Sequence, residues 1–181
     1  SSRRLIVGGQ TRGVTGVLTD IHEKKQMEED LARNEARFRA LVNILQHDAE
    51  DVQEYLDVAL SQALQLTESQ IGYIYHYSEE RREFVLNTWS RDVMDACRVQ
   101  NPQTCYALDK TGLWGEVVRR RREIVVNDFE AEHPFKRGYP DGHVRLKRFA
   151  SIPVMKGEQI IAVVGVANKE SEYTETDMLQ L

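Results

Sequence analysis

Cysteine and proline are scarce in this sequence, with two and four respectively among 181 residues. The two thiols, Cys97 and Cys105, make no disulfide framework. They are expected to be reduced, and a chain of this size is expected to hold together by burial alone. Long apolar runs are missing too. The longest unbroken one, Ile160 to Ala167, falls far short of the ~20 residues that span a bilayer. Positive charge is not in excess: Lys and Arg number 24 against 29 Asp and Glu, a formal charge of −5. That balance argues against nucleic acid as a partner. No basic-then-apolar stretch opens the chain as a secretory signal would. The five histidines, His22, His47, His76, His133 and His143, lack metal-ligand spacing, so no metal site is expected. These absences exclude a membrane protein, a disulfide scaffold and a collagen-like chain. What is present, 41% apolar and 29% charged residues, describes a soluble, cytoplasmic, globular protein of about one domain.

The chain reads as three pieces. Residues 1–20 form two short strands, Arg3–Val7 and Val14–Thr19, around a turn at Gly8-Gly9-Gln10. A lone hairpin is marginal in water, so this piece is expected to pack on a partner or to belong to something larger. Residues 21–45 read as one long helix from about His22 to Leu45, rich in helix formers and free of Gly and Pro. Met27, Leu31, Asn34, Phe38, Leu41 and Leu45 recur at spacings of 4, 3, 4, 3 and 4, the seam of a coiled coil. Asn34 is its polar, register-setting position. Glu29 with Arg33, and Glu35 with Arg39, are spaced for i,i+4 pairs. The seam predicts a homodimer through this helix; the plainer alternative is a helix packed on its own domain.

Residues 46–181 alternate helix and strand. A helix is expected after an N-cap at Asp48, with Val52, Leu56, Ala59, Leu60 and Ala63 on one face. Ile71–Tyr77 and Phe84–Trp89 read as a hairpin across Ser78–Glu83. A short helix capped by Asp109 or Thr111 carries Leu113, Trp114, Val117 and Val118. Glu123–Val126 is a strand, and Ala150–Met155 with Gln159–Val166 form a second hairpin. Thr174 with Asp177 starts the last helix in the manner of a capping box. Hairpins dominate, so the expected class is α+β: an antiparallel sheet flanked by helices.

Several stretches of this third piece resemble the GAF domain, a small-molecule-binding regulatory module of bacterial sensors and cyclic-nucleotide phosphodiesterases. They are Gly112–Glu116, Ile124–Asp128, Gly138–His143, Arg148–Val154 and Val163–Lys169. Residues 13–20, followed by Lys24, Lys25 and Glu28, resemble the final strand and exit helix of a PAS domain, and Asn34–Phe38 resembles the linker into a following sensor domain. The resemblance implies three parts: 1–20, the C-terminal strands of a PAS domain; 21–45, a signalling helix; and 46–181, a GAF-like antiparallel sheet. It implies a sensory input module of a cytoplasmic bacterial signalling protein of histidine kinase or diguanylate cyclase type. That module would bind a small molecule or partner, pass the signal through helices, and not itself be an enzyme. The alternative is a ligand-free dimerisation scaffold.

Cyclic-nucleotide-binding members carry Asn-Lys, a gap, Phe, three residues, then Asp-Glu. Here Asn168, Lys169, Tyr173 and Asp177 match, and Met178 replaces the final Glu. Lys169 with Asp177 is expected to be a structural ion pair that pins the loop before the last helix. Bilin attachment is not expected, since Arg98 follows Cys97 and Tyr106 follows Cys105 where His is usual. No cofactor is assigned. The run Arg119–Arg122 is expected to be a solvated helix end, where cations suit the helix dipole. The candidate ligand-binding residues are Trp89, Tyr106, Trp114, Asn127, Asp128, Tyr139, His143 and Arg148, apolar walls with a few convergent polar groups. The ligand is expected between the sheet and the covering segment Asn127–Arg148, a long stretch without periodicity. Asp128 and Arg148 are expected either to pair with each other or to orient a polar ligand.

Overall fold

The computed structural model describes residues 6–7, 10–11, 15–90, 105–137 and 144–181, with the backbone alone described as far as residue 20. The chain divides into two compact units, residues 1–42 and 43–181. In the first unit, β1 (Ile6–Val7) and β2 (Gln10–Thr11) pair antiparallel, Ile6 with Thr11 and Val7 with Gln10. Helix α1 then runs from Thr15 to Gln46, ending just inside the second unit. The expected second strand, Val14–Thr19, is therefore displaced: Thr15 to Thr19 are helical. Two paired residues a side return few ladder bonds. A helix already nucleated in the formers beyond His22 gains one bond for each residue it adds.

Along α1 the seam residues Met27, Leu31, Phe38, Leu41 and Leu45 are 50–75% exposed, and Asn34 is exposed beside them. The local pairs partly differ from those read off the spacing. Arg39 bonds Glu35 at 2.6 Å, as expected. Arg33, however, pairs with Asp30, and Glu29 pairs with Lys25 at 3.9 Å.

The second unit is built on a six-stranded antiparallel sheet in the order β5-β4-β3-β8-β7-β6. Its strands are β3 (Ile71–Ser78), β4 (Glu83–Trp89), β5 (Cys105–Ala107), β6 (Ile124–Val126), β7 (Phe149–Lys156) and β8 (Gln159–Ala167). The two expected hairpins are the β3–β4 and β7–β8 pairs. Strand β5 went unread because three residues, Cys-Tyr-Ala, are too few to show alternation.

One face of the sheet carries α2 (Val52–Thr67) and the terminal helix α4 (Glu175–Gln180). The cap of α2 is Asp51, not Asp48: its Oδ1 accepts the Glu54 amide at 2.8 Å. The helix consequently starts a turn later, and Val52 is exposed rather than in the packed face. Leu60 and Leu64 press on the sheet, and buried Thr88 donates to Asp57 across the contact.

The other face carries Tyr73, Tyr75 and Tyr77, which alternate along β3 with Ile74 and His76. Above them lie single turns at Leu108–Lys110 and Leu113–Gly115, then α3 (Glu116–Arg120). The one capped helix expected here is broken into these pieces. Gly112 and Gly115 lower helix propensity. The Thr111 hydroxyl, expected as a cap, turns back to the Leu108 carbonyl at 2.6 Å.

The two faces meet at Gly165, opposite Tyr73 in the β3–β8 register. A Cβ there would lie 2.3 Å from Tyr73 Cζ, so the ring rests flat on bare backbone. Gly165→Ala is expected to cost about 2 kcal/mol by overpacking. Gly157→Ala, with nothing within 4 Å and a φ of +62°, should cost about 1 kcal/mol for its backbone alone. Urea denaturation of both variants checks this; equal losses would mean that Tyr73 does not depend on the Gly165 seat.

Candidate functional site

Between the sheet and the covering turns lies a layer of rings. Trp114 is at its centre, with centroids 4.7 Å from Phe84, 5.4 Å from Tyr75, 5.6 Å from Tyr106 and 6.3 Å from Tyr73. Tyr73 stacks on Phe149 at 6.4 Å and meets Tyr75 edge-on at 5.1 Å. Trp89 stands opposite Tyr73 in the β3–β4 register, and its side chain lies beside the Tyr75 hydroxyl. Three candidates, Trp89, Tyr106 and Trp114, are thus brought together around Tyr75.

Sequence reading missed Tyr73, Tyr75, Phe84 and Phe149 as members of this layer. The signal was present in the tyrosines at 73, 75 and 77, spaced by two along one strand. Burial pushes the Tyr75 phenol well above its ordinary pKa, and Tyr106 and Tyr73 add to the shift. Burial also raises Tyr73, offset slightly by Ser151. Both groups are therefore neutral O–H donors near neutral pH.

The polar candidates go elsewhere. Asn127 clamps the Tyr173 backbone, accepting its N–H at 2.7 Å and donating to its carbonyl at 3.0 Å. Asp128 Oδ1 accepts the amides of Glu130 and Ala131, both at 3.1 Å, and closes its own turn. Arg148 immediately precedes Phe149 and donates Nη1 to the Lys169 carbonyl at 3.2 Å. Among the described residues Asp128 and Arg148 form no ion pair, so the pairing expected between them is not made. The reason is local. An Asx turn satisfies the carboxylate within three residues, and the carbonyls around Asn168 lie within reach of the guanidinium. Tyr139 and His143, like Cys97, lie outside the described residues.

Asn168 and Lys169 complete this polar side. Asn168 takes a left-handed φ of 62° and reaches across to the segment before β7. Its Oδ1 accepts the Lys147 amide at 2.9 Å and its Nδ2 donates to Arg145 O at 3.0 Å. Lys169 Nζ lies 2.6 Å from Asp177 Oδ1, with the two side chains 12% and 8% exposed. Asp177 Oδ2 accepts the Thr174 amide at 2.8 Å, and the Tyr173 hydroxyl bonds Ser69 at 2.7 Å.

All four arginines of the run 119–122 are exposed, in keeping with the solvated helix end expected, and three of them also make specific contacts. Arg119 binds the carbonyls of Leu108 and Thr111 at 2.6 and 3.0 Å. Arg119 and Arg120 both pair with buried Glu116, at 2.8 and 3.1 Å, and Arg121 pairs with Glu79 at 2.7 Å. Among the described residues no group of three or more His, Cys, Asp or Glu side chains is placed to hold a metal ion. No helix of the described residues is long and apolar enough to cross a membrane.

Burial alone would raise the Asp177 carboxyl. The bonds from Lys169 and Thr174 outweigh it and hold the group below its ordinary value. A depressed folded pKa adds stability above the unfolded carboxylate pKa of about 4, and that stability is lost as pH falls through the folded value. Asp177→Asn is therefore expected to cost about 2 kcal/mol at pH 7, where Lys169 is left without its counter-charge. The gap to wild type should narrow in acid below about pH 4. Thermal melts of both proteins across pH 3–7 check this, and a gap independent of pH would show that the charge is not what matters.

Comparison with known proteins agrees with this architecture. A family model described as GAF domain matches residues 49–181. A methyl sulfide methyltransferase-associated sensor of Methanosarcina acetivorans is 39% identical over 180 residues. The alignment covers 99% of this chain but only 18% of that protein. The GAF domain of a Coxiella burnetii phosphoenolpyruvate-protein phosphotransferase superposes with a TM-score of 0.66 at 14% identity, over 82% of this chain and 84% of the other. Free methionine-R-sulfoxide reductase from Neisseria meningitidis, solved with its substrate, gives 0.60 at 17% identity, over 82% and 80%. With the antiparallel sheet, its flanking helices and the family model coinciding over residues 49–181, the chain belongs to the GAF domain family.

Proposed function

We propose that this chain is a sensory input module of a cytoplasmic signal-transduction protein. It would bind a small molecule or partner in the GAF domain and pass the change through helices to an output domain. The observation that carries this reading is the identity of 39% with a protein named as a sensor, extending over the first unit as well as the GAF region. The aromatic layer supports it. Rings gathered on one face of a sheet are the kind of surface on which a small apolar ligand is held. The mechanism is a population shift, in which the ligand favours one of two packings of the covering segment and helices. The preceding strands and α1 are read as the end of a PAS domain and a signalling helix, as the wording of residues 13–38 suggests. Histidine kinase and diguanylate cyclase are the output types this arrangement suits.

We read the chain as a binding module, not a catalyst. The sulfoxide reductases share the fold at identities of 15–17%, too low to carry their activity across. Cys105 is exposed at the sheet edge on β5. The second reading is a ligand-free dimerisation scaffold, favoured by how closely the rings of the layer fill it with one another.

Native mass spectrometry of the purified protein tests the first reading: a co-purified small molecule supports it, and a bare chain favours the scaffold. Both readings expect a homodimer through α1, whose apolar seam stands exposed in the single chain. Sedimentation at about 20 µM should give a dimer. Leu31→Asp and Phe38→Asp should each shift it toward monomer without lowering the melting temperature of residues 46–181. A wild-type monomer at that concentration would overturn the assembly.

A further inference from the structure

A cleft of about 310 Å³ opens between α3, the start of β6 and the turn at His133. Its floor is aliphatic, made by Leu113, Ile124 and Val126. Ile124 and Val126 also pack in the cluster that holds Tyr75 and Phe84, so the cleft sits at the rim of the ring layer. Its polar wall carries two guanidiniums and an imidazole, those of Arg120, Arg122 and His133. Glu116, 4% exposed, accepts Arg120 Nε at 3.1 Å on one oxygen and Arg119 Nη1 at 2.8 Å on the other. The Phe135 ring centroid lies 5.7 Å from the Arg120 guanidinium carbon. Arg120 is thus held by its Nε, and neither Nη has a hydrogen-bond partner among the described residues. Arg122 forms no hydrogen bond or ion pair among them either. His133 Nδ1 accepts the Phe135 amide at 3.2 Å, so the neutral ring carries its proton on Nε2. With Arg119 counted beside Glu116, three arginines meet the carboxylates of Glu116 and Glu123, an excess of one positive charge among these residues.

We propose, resting on the reading of the chain as a ligand-sensing module, that this cleft binds a small organic monocarboxylate. The Nη groups of Arg120 take the carboxylate, Arg122 and His133 Nε2 stand beside it, and the apolar body lies on Leu113, Ile124 and Val126. A guanidinium whose Nε is already fixed meets both oxygens of a carboxylate with little further loss of side-chain freedom. One excess positive charge balances one carboxylate, and Glu123 opposes a second. The aliphatic floor rewards a body of several methylenes, which acetate and inorganic anions lack. The cleft is tied to the ring layer through one carboxylate. Glu116 also holds Arg119, which gathers the carbonyls of Leu108 and Thr111 in the turns above Trp114.

The test titrates the protein with hexanoate, 1-hexanol, hexylamine and acetate. Binding is read by NMR at the methyl groups of Leu113, Ile124 and Val126. Hexanoate should bind about tenfold more tightly than 1-hexanol, the worth of one charged hydrogen bond. Acetate, four methylenes shorter, should bind at least about tenfold more weakly than hexanoate. Hexylamine should bind more weakly than 1-hexanol, because its charge has the wrong sign. Arg122→Gln should weaken hexanoate about threefold, and Arg120→Gln with Arg122→Gln should bring it down to the level of 1-hexanol. 1-Hexanol rests on the floor alone, so its unchanged affinity in both variants shows that the cleft is intact. A preference for hexanoate that survives the double substitution overturns the proposal, as do shifts confined to methyl groups elsewhere. Failure of hexanoate to bind overturns it too. If native mass spectrometry then still finds a co-purified small molecule, the cleft falls and the sensing module stands. If nothing co-purifies either, both fall and the scaffold is left.

Discussion

The layered side of the sheet depends on a residue with no side chain. Gly165 lets the Tyr73 ring lie against β8, and that flat ring is the floor on which Tyr75, Phe149 and Trp114 assemble. On the opposite face the same sheet must receive Leu60 and Leu64 of α2. A sheet closely packed on both faces has little freedom to shift one of them. The aromatic layer is therefore held at fixed spacing by a seat that only glycine provides.

A second constraint governs the loops. The connections in this domain carry few backbone ladder bonds, so side chains act as substitutes. Asn127 pairs with the Tyr173 backbone as a neighbouring strand would, and Asn168 does the same for residues 145 and 147. Arg119 gathers the carbonyls of the turns above Trp114. Buried backbone polar groups must find partners, and where sheet and helix end these side chains supply them. Asn127, Asp128 and Arg148, which look like part of a binding constellation in the sequence, bond backbone groups in this way.

This explains which parts of the molecule were legible. The two hairpins, the sheet class and the Thr174–Asp177 helix start follow from alternation and capping chemistry, which are local. The positions of the α2 cap, the broken helix near Gly112 and the start of α1 were misread, because each depends on which of two nearby options gains more contacts. At the candidate site, Trp89, Tyr106 and Trp114 were legible, four further rings were not, and the described polar candidates bond elsewhere. Trp114 has few places to go but a core or a pocket, and here it packs against the core. Asp128 and Arg148 each had several equally good partners, and nothing in spacing decides between a turn amide, a carbonyl and a guanidinium. Tyr73 and Tyr75 were passed over because tyrosine in a strand is ordinary; only the glycine across the register makes Tyr73 unusual.

For the proposed role, magnitudes decide which contact does what. Reversing a 1:99 population takes a differential binding free energy of about 5.5 kcal/mol. A single neutral hydrogen bond is worth about 1 kcal/mol and cannot drive that change. A ligand burying about 220 Å² more apolar surface in one packing than in the other gains about 5.5 kcal/mol, which can. Affinity and switching would then come from apolar area that one packing of the helices and covering segment offers and the other does not, and a polar contact would add selectivity and little more.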